Sequence, residues 1–137
     1  MVALARSPVA AAPTGRRAGY ILGGLAVAFL LFDVVGKLLS MEPVLASLPP
    51  LGWDPALAPV LGAVQAVGLV LYLVPRTSVL GAVLLTGYLG GAVATHVRVG
   101  NPLVSHILFP VYVAILLWAA LCLLRPEVRR VLVPFLP

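Results

Sequence analysis

Apolar residues run almost unbroken through four stretches of this chain, and prolines, arginines and short polar turns separate them. A run of about 20 residues, rising about 1.5 Å per residue as a helix, covers the roughly 30 Å hydrocarbon core of a bilayer. The pattern predicts membrane helices over about residues 18–40, 55–74, 77–96 and 102–124. Local signals mark their ends. Asp54–Pro55 reads as an N-cap followed by proline at the first helical position. Pro75 closes the second helix, Thr77 or Ser78 caps the third, and Asn101 caps the fourth, which stops before Pro126. Pro110 falls inside the fourth run and predicts a kink there.

The stretch Met41–Trp53 is different. Pro43, Pro49 and Pro50 interrupt the apolar Val44, Leu45 and Leu48, and the segment is too short to cross. It predicts an interfacial or re-entrant element over the bundle, with Trp53 at headgroup level. The expected fold class is all-α: a four-transmembrane-helix bundle with this element between helices 1 and 2. Residues 1–17 read as a flexible cytoplasmic tail, 18–125 as the membrane domain and 126–137 as a short cytoplasmic tail. A cleaved signal peptide fits poorly, because the run from Ala18 to Ser40 is too long and carries Asp33 and Lys37.

Composition strengthens this picture. Of 137 residues, 62% are hydrophobic and 9% charged, against about 25% charged in an ordinary soluble domain. A soluble chain this short has nowhere to bury so much apolar surface, so the lipid bilayer is the expected partner. The net charge of +5 comes from arginines near the helix ends. Arg6, Arg16, Arg17, Arg76, Arg125, Arg129 and Arg130 fall on one side of the four-span topology, with Lys37 and Arg98 on the other. This predicts a multi-pass protein of the cell (inner or plasma) membrane with both termini cytoplasmic. No basic stripe with interleaved aromatics is present, so no nucleic acid partner is expected. The single Cys122 allows neither an intrachain disulfide nor a CxxC pair and reads as packing. Gly19/Gly23 and Gly87/Gly91 have the GxxxG spacing of close helix–helix contact.

The remaining polar groups gather toward the outer end: Asp33, Lys37, Glu42, Asp54, His96, Arg98 and His106. Asp33 and Lys37 stand four apart on one helix face, acid before base. They read either as a salt bridge that lets both enter the interface, with Lys37 snorkelling outward, or as a buried acid that binds substrate or moves a proton. His96 ends the third helix and His106 begins the fourth, so a short loop brings them near each other. With Asp33 or Glu42 they would supply enough metal ligands, but no HxxxH or ExxH spacing is present and no metal site is expected. Gln65 lies inside the second helix and needs a partner, across the helices or at a pocket floor. Tyr72, Tyr88, Tyr112 and Trp118 read as packing or lipid-facing residues, with Tyr88 nearest the polar end.

Pro75-Arg76-Thr77 followed by LGAVLLTGYLGGAVATHVRVGNP, Phe32-Asp33 and Lys37-Leu38 in the first helix, Pro43 after it and the Leu124-Arg125-Pro126 ending together resemble the DoxX-like family of small four-helix membrane proteins. The resemblance covers about residues 18–130, and its most specific element runs from Gly90-Gly91-Ala92 through His96 and Arg98. It implies a bundle related to the DoxX and DoxD proteins, whose namesake is associated with a thiosulfate:quinone oxidoreductase and other relatives with membrane oxidoreductase complexes. Gln65 departs from the pattern, since relatives carry an acidic group there, which puts a proton relay at this position in doubt.

The expectation is a polar pocket open to the outer leaflet that takes a small lipophilic ligand with a polar head: a quinone, a prenyl compound or a lipid-like metabolite. Asp33 and His96 are the expected catalytic acid–base pair. Lys37, Gln65, Tyr88, Arg98 and His106 are the expected substrate-binding residues. A non-catalytic subunit or scaffold that positions an oxidoreductase partner, or a homo-oligomer, is the alternative. A transporter is the weaker one, because the inner half of the bundle has no polar groups to continue a path.

Overall fold

The computed structural model describes residues 13–134, and Arg6 lies outside them. Its helices are α1 (Pro13–Leu38), α2 (Glu42–Ser47), α3 (Ala58–Leu73), α4 (Ser78–Arg98), α5 (Phe109–Leu124) and α6 (Pro126–Leu132). A 3₁₀ turn, Pro55–Leu57, leads directly into α3, and a single π-helical turn, Leu103–Ile107, precedes α5. Four segments are long and apolar enough to cross a membrane: Thr14–Leu38, Pro55–Leu73, Ser78–Arg98 and Leu103–Leu124. The four-helix architecture is therefore the one the apolar runs predict.

The long helices close into a ring in which α1 meets α3, α3 meets α4, α4 meets α5 and α5 returns to α1. One stripe of each faces inward at helical spacing. Ala26, Leu30 and Val34 come from α1, Leu69 and Tyr72 from α3, Ala82, Leu85 and Leu89 from α4, and Val113, Leu117 and Leu121 from α5. The outward stripes are just as apolar: Leu25, Val60, Val64, Leu80 and Ile115 are all exposed. In lipid this costs nothing, and it also removes the hydrophobic drive between helices. Close packing and interhelical hydrogen bonds must hold the bundle instead.

Both devices are present. A Cβ at Gly19 would stand 2.8 Å from Leu124 Cγ, so glycine lets α1 lie directly on α5. At Gly81 a Cβ would fall on the backbone of Leu71 and Tyr72, which brings α4 against α3. The Tyr72 hydroxyl crosses the bundle and donates to Leu117 O at 3.0 Å in a buried site. Trp118 Nε1 donates to Thr86 Oγ1 at 2.9 Å, and Thr86 donates in turn to Ala82 O. Reading these aromatics as packing alone understates them.

Several local expectations change. α1 already begins at Pro13, and α4 continues to Arg98. Part of the expected C-terminal tail is helical, as α6. The Asp54 cap is present, its Oδ1 accepting from Ala56 N at 2.9 Å. Thr77 occupies the N-cap position of α4 but turns back, donating to Leu71 O at 2.9 Å and closing the α3–α4 turn. Arg125 reaches the same turn through Pro75 O. Asn101 caps nothing, because its side chain is committed to His96. Pro110 does not kink a continuous helix. It sits in the first turn of α5, where the missing N–H would have had no helical partner. A Cβ at Gly87 or Gly91 would meet nothing within 4 Å, so their spacing is not used for close packing inside the bundle.

Three stability measurements in detergent follow. Gly81→Ala should cost about 2–3 kcal/mol, because backbone cannot yield as a side chain does. The same change at open Gly87 should shift stability by less than about 1 kcal/mol. Tyr72→Phe should cost about 1 kcal/mol, the worth of one interhelical hydrogen bond.

Candidate functional site

The C-terminal half of α1, the start of α3, the end of α4 and the start of α5 meet at one end of the bundle. Residues 42–53 fold against that same end as α2 and a 3₁₀ turn, Pro49–Leu51. Between them lies a cavity of about 370 Å³. Its walls are largely apolar, with Phe29, Trp53, Leu89, Phe109 and Val113 among them. The polar side chains Asp33, Lys37, Tyr88, Thr95 and His96 reach it from two of the long helices, and Ser47 from the short segment.

Lys37 organises the α1 side. Its ammonium pairs with Asp33 one turn earlier and donates to Gln65 Oε1 on α3 at 3.0 Å. It also stands 5.4 Å from the centre of the Tyr88 ring on α4, within cation–π range. The side chain is only 14% exposed, so Lys37 does not snorkel to water as the sequence allowed. The cause lies on the neighbouring helix. Gly62 leaves no room for a side chain, since a Cβ there would be 2.9 Å from Lys37 Cβ and 3.1 Å from Leu38 N. Close approach at Gly62 puts Gln65, one turn further along α3, within reach of the ammonium.

Gln65 is 1% exposed and is not part of the cavity wall; it stands behind Lys37 rather than forming a floor. Lysine can only donate, so the amide oxygen faces it and the orientation of the amide is set. Nε2 is then the single buried side-chain polar atom among the described residues without a hydrogen-bond partner.

His96 brings an imidazole to the opposite wall. Its Nδ1 is 2.8 Å from Asn101 Nδ2. With the amide nitrogen as donor, Nδ1 accepts, and the neutral ring carries its proton on Nε2. The His106 ring lies 5.7 Å from His96 at 68°, but His106 is exposed, bonds Ser105 and does not line the cavity. Arg98 is not on the wall either; its guanidinium donates to Leu51 O at 2.6 Å. Of the seven expected site residues, the fold thus brings Asp33, Lys37, Tyr88 and His96 around one cavity, and Gln65 supports them. No three His, Cys, Asp or Glu side chains converge among the described residues.

The aromatic wall escaped the sequence reading. Phe29 and Phe109 meet edge to face at 5.0 Å, joining α1 to α5 beside the cavity. A signal was present for Phe29, since Phe29, Asp33 and Lys37 repeat every four residues on one helix face. None was present for Phe109, which depends on α5 packing next to α1.

The family model for the DoxX-like family matches residues 21–120. No curated protein and no solved structure matches the chain. The matched stretch holds α3 and α4 whole, most of α1 and α5, and every polar side chain that lines the cavity. This integral membrane protein belongs to the DoxX-like family.

Proposed function

We propose that the cavity binds a small amphiphile with an oxygen-bearing head, of the quinone class, that enters from the bilayer. What supports this reading is one space of about 370 Å³ with apolar walls and a few convergent polar groups, the usual make-up of a small-molecule site. Lys37 offers a donor to a carbonyl oxygen, and Tyr88 and Phe109 offer aromatic surface to a ring. Asp33 and His96 are the groups placed to give or take a proton from the bound head. The volume lies near the lower end of the range for ligand pockets, about 300–1,000 Å³. It suits a head and the first part of a tail.

Topology follows in the same proposal. Arg16, Arg17, Arg76, Arg125, Arg129 and Arg130 lie at the end opposite the cavity. The positive-inside tendency makes that end cytoplasmic in the cell membrane, with the cavity in the outer leaflet and α2 at the interface. Alkaline phosphatase fused after Pro137 should then be inactive; an active fusion would reverse the orientation.

The binding test uses the two tryptophans. Trp53 lines the cavity and Trp118 does not, so Trp118→Phe leaves Trp53 as a local reporter. Decylubiquinone added to this variant in nanodiscs should quench its fluorescence saturably. Lys37→Met and Asp33→Asn should each weaken the apparent affinity roughly ten-fold, about 1.4 kcal/mol. Quenching that never saturates, or that is unchanged in Lys37→Met, would refute the reading.

A further inference from the structure

We propose that residues 42–53 are a lid over the cavity and that Arg98 is its latch. The inference concerns access to the site proposed above and rests on that reading only for what passes through.

The lid forms one wall of the cavity through Val44, Ser47, Leu48, Leu51 and Trp53. Apart from Val44, which lies over Gly36 of α1 (a Cβ there would be 3.1 Å from Val44 Cγ2), its attachment is slight. α2 contains no buried residue, and Leu48 is the one buried side chain between Glu42 and Trp53. The hydrogen bonds of this stretch are otherwise internal or run to the adjoining Met41. Among the described residues a single one joins it to a long helix, from the Arg98 guanidinium to Leu51 O at 2.6 Å. The donor is charged and the acceptor is backbone, so the latch fixes where the lid lies without calling on its side chains.

Left-handed residues mark both ends of the lid. Ser40 has φ +51, the only positive value among described residues other than glycine. Gly52 has φ +76, and a Cβ there would be 2.7 Å from Arg98 Nη2. Glycine at 52 thus serves the turn and the latch together, since any side chain would push the guanidinium away from Leu51. A segment with one buried anchor and one charged latch opens more readily than the helices it covers.

The test reads access without any ligand. In a Cys122→Ala background, Ala92→Cys places a thiol on the α4 wall of the cavity. A charged, water-soluble methanethiosulfonate should modify it roughly five-fold faster once Arg98→Ala removes one charge-assisted hydrogen bond. Hydrogen exchange should accelerate in residues 42–53 and stay unchanged in α3 and α5. Gly52→Ala should reproduce both effects from the other side of the latch, which covers a failure of Arg98→Ala to fold. Unchanged labelling and exchange in both variants would overturn the proposal. So would acceleration by Phe29→Ala alone, which would place the entrance between α1 and α5. Absence of decylubiquinone binding alongside the predicted labelling would reject the quinone reading and leave the lid standing.

Discussion

Lys37 carries its ammonium inward, between Asp33 on its own helix and Gln65 on α3, with the Tyr88 ring of α4 above it. A lysine near a membrane surface ordinarily extends toward water. Here Gly62 draws α3 so close that Lys37 lies along it, and three helices supply the ammonium with partners. The arrangement joins α1, α3 and α4 at the one end where the helices do not fill the space between them. Pairing with Asp33 cancels the charge, which makes a polar group tolerable inside so apolar a bundle. The cavity exists beside this cluster, and its polar character comes largely from it.

The other half of the molecule solves a different problem. Lipid surrounds helices that are apolar on every face, so burying Leu30, Leu85 and Leu117 gains packing contacts rather than escape from water. Stability there depends on backbones approaching at Gly19 and Gly81, and on the Tyr72–Leu117 hydrogen bond across the core. Arg125 and Thr77 tie off the α3–α4 turn at the far end. The result is a tightly packed, dry half and a polar, hollow half built from the same four helices. Family membership agrees with the architecture, and the chemistry has to be argued from the hollow half.

The four spans were legible because a bilayer sets a length, and unbroken apolar runs of that length seldom occur outside one. The Asp54 cap was legible because all its parts are adjacent in sequence. Asn101 was not, since His96 competes for the same side chain, and the competitor is visible only once the loop is folded. Spacing put Gly19/Gly23 and Gly87/Gly91 on equal terms, yet only the first pair meets another helix. Neighbour order around the ring decides that, and no local pattern encodes it. For the candidate site, segregation of polar residues to one end drew attention to Asp33, Lys37, Tyr88 and His96, which the fold places around one cavity. Arg98 and His106 are as near in sequence, but Arg98 at the end of α4 reaches Leu51 and His106 beyond the turn pairs with Ser105, so neither lines the wall. Whether Lys37 turned outward or inward hung on a glycine on another helix.

Lys37 is the only lysine in the chain, and that makes its position directly measurable. Purified protein in nanodiscs can be treated with a water-soluble N-hydroxysuccinimide ester and the modification at Lys37 followed by peptide mass spectrometry. A lysine held by Asp33 and Gln65 predicts slow modification, at least roughly ten-fold slower than a lysine introduced at exposed Glu42, and faster modification in Gln65→Leu. Modification of Lys37 at the rate of the exposed lysine, indifferent to Gln65, would contradict the account.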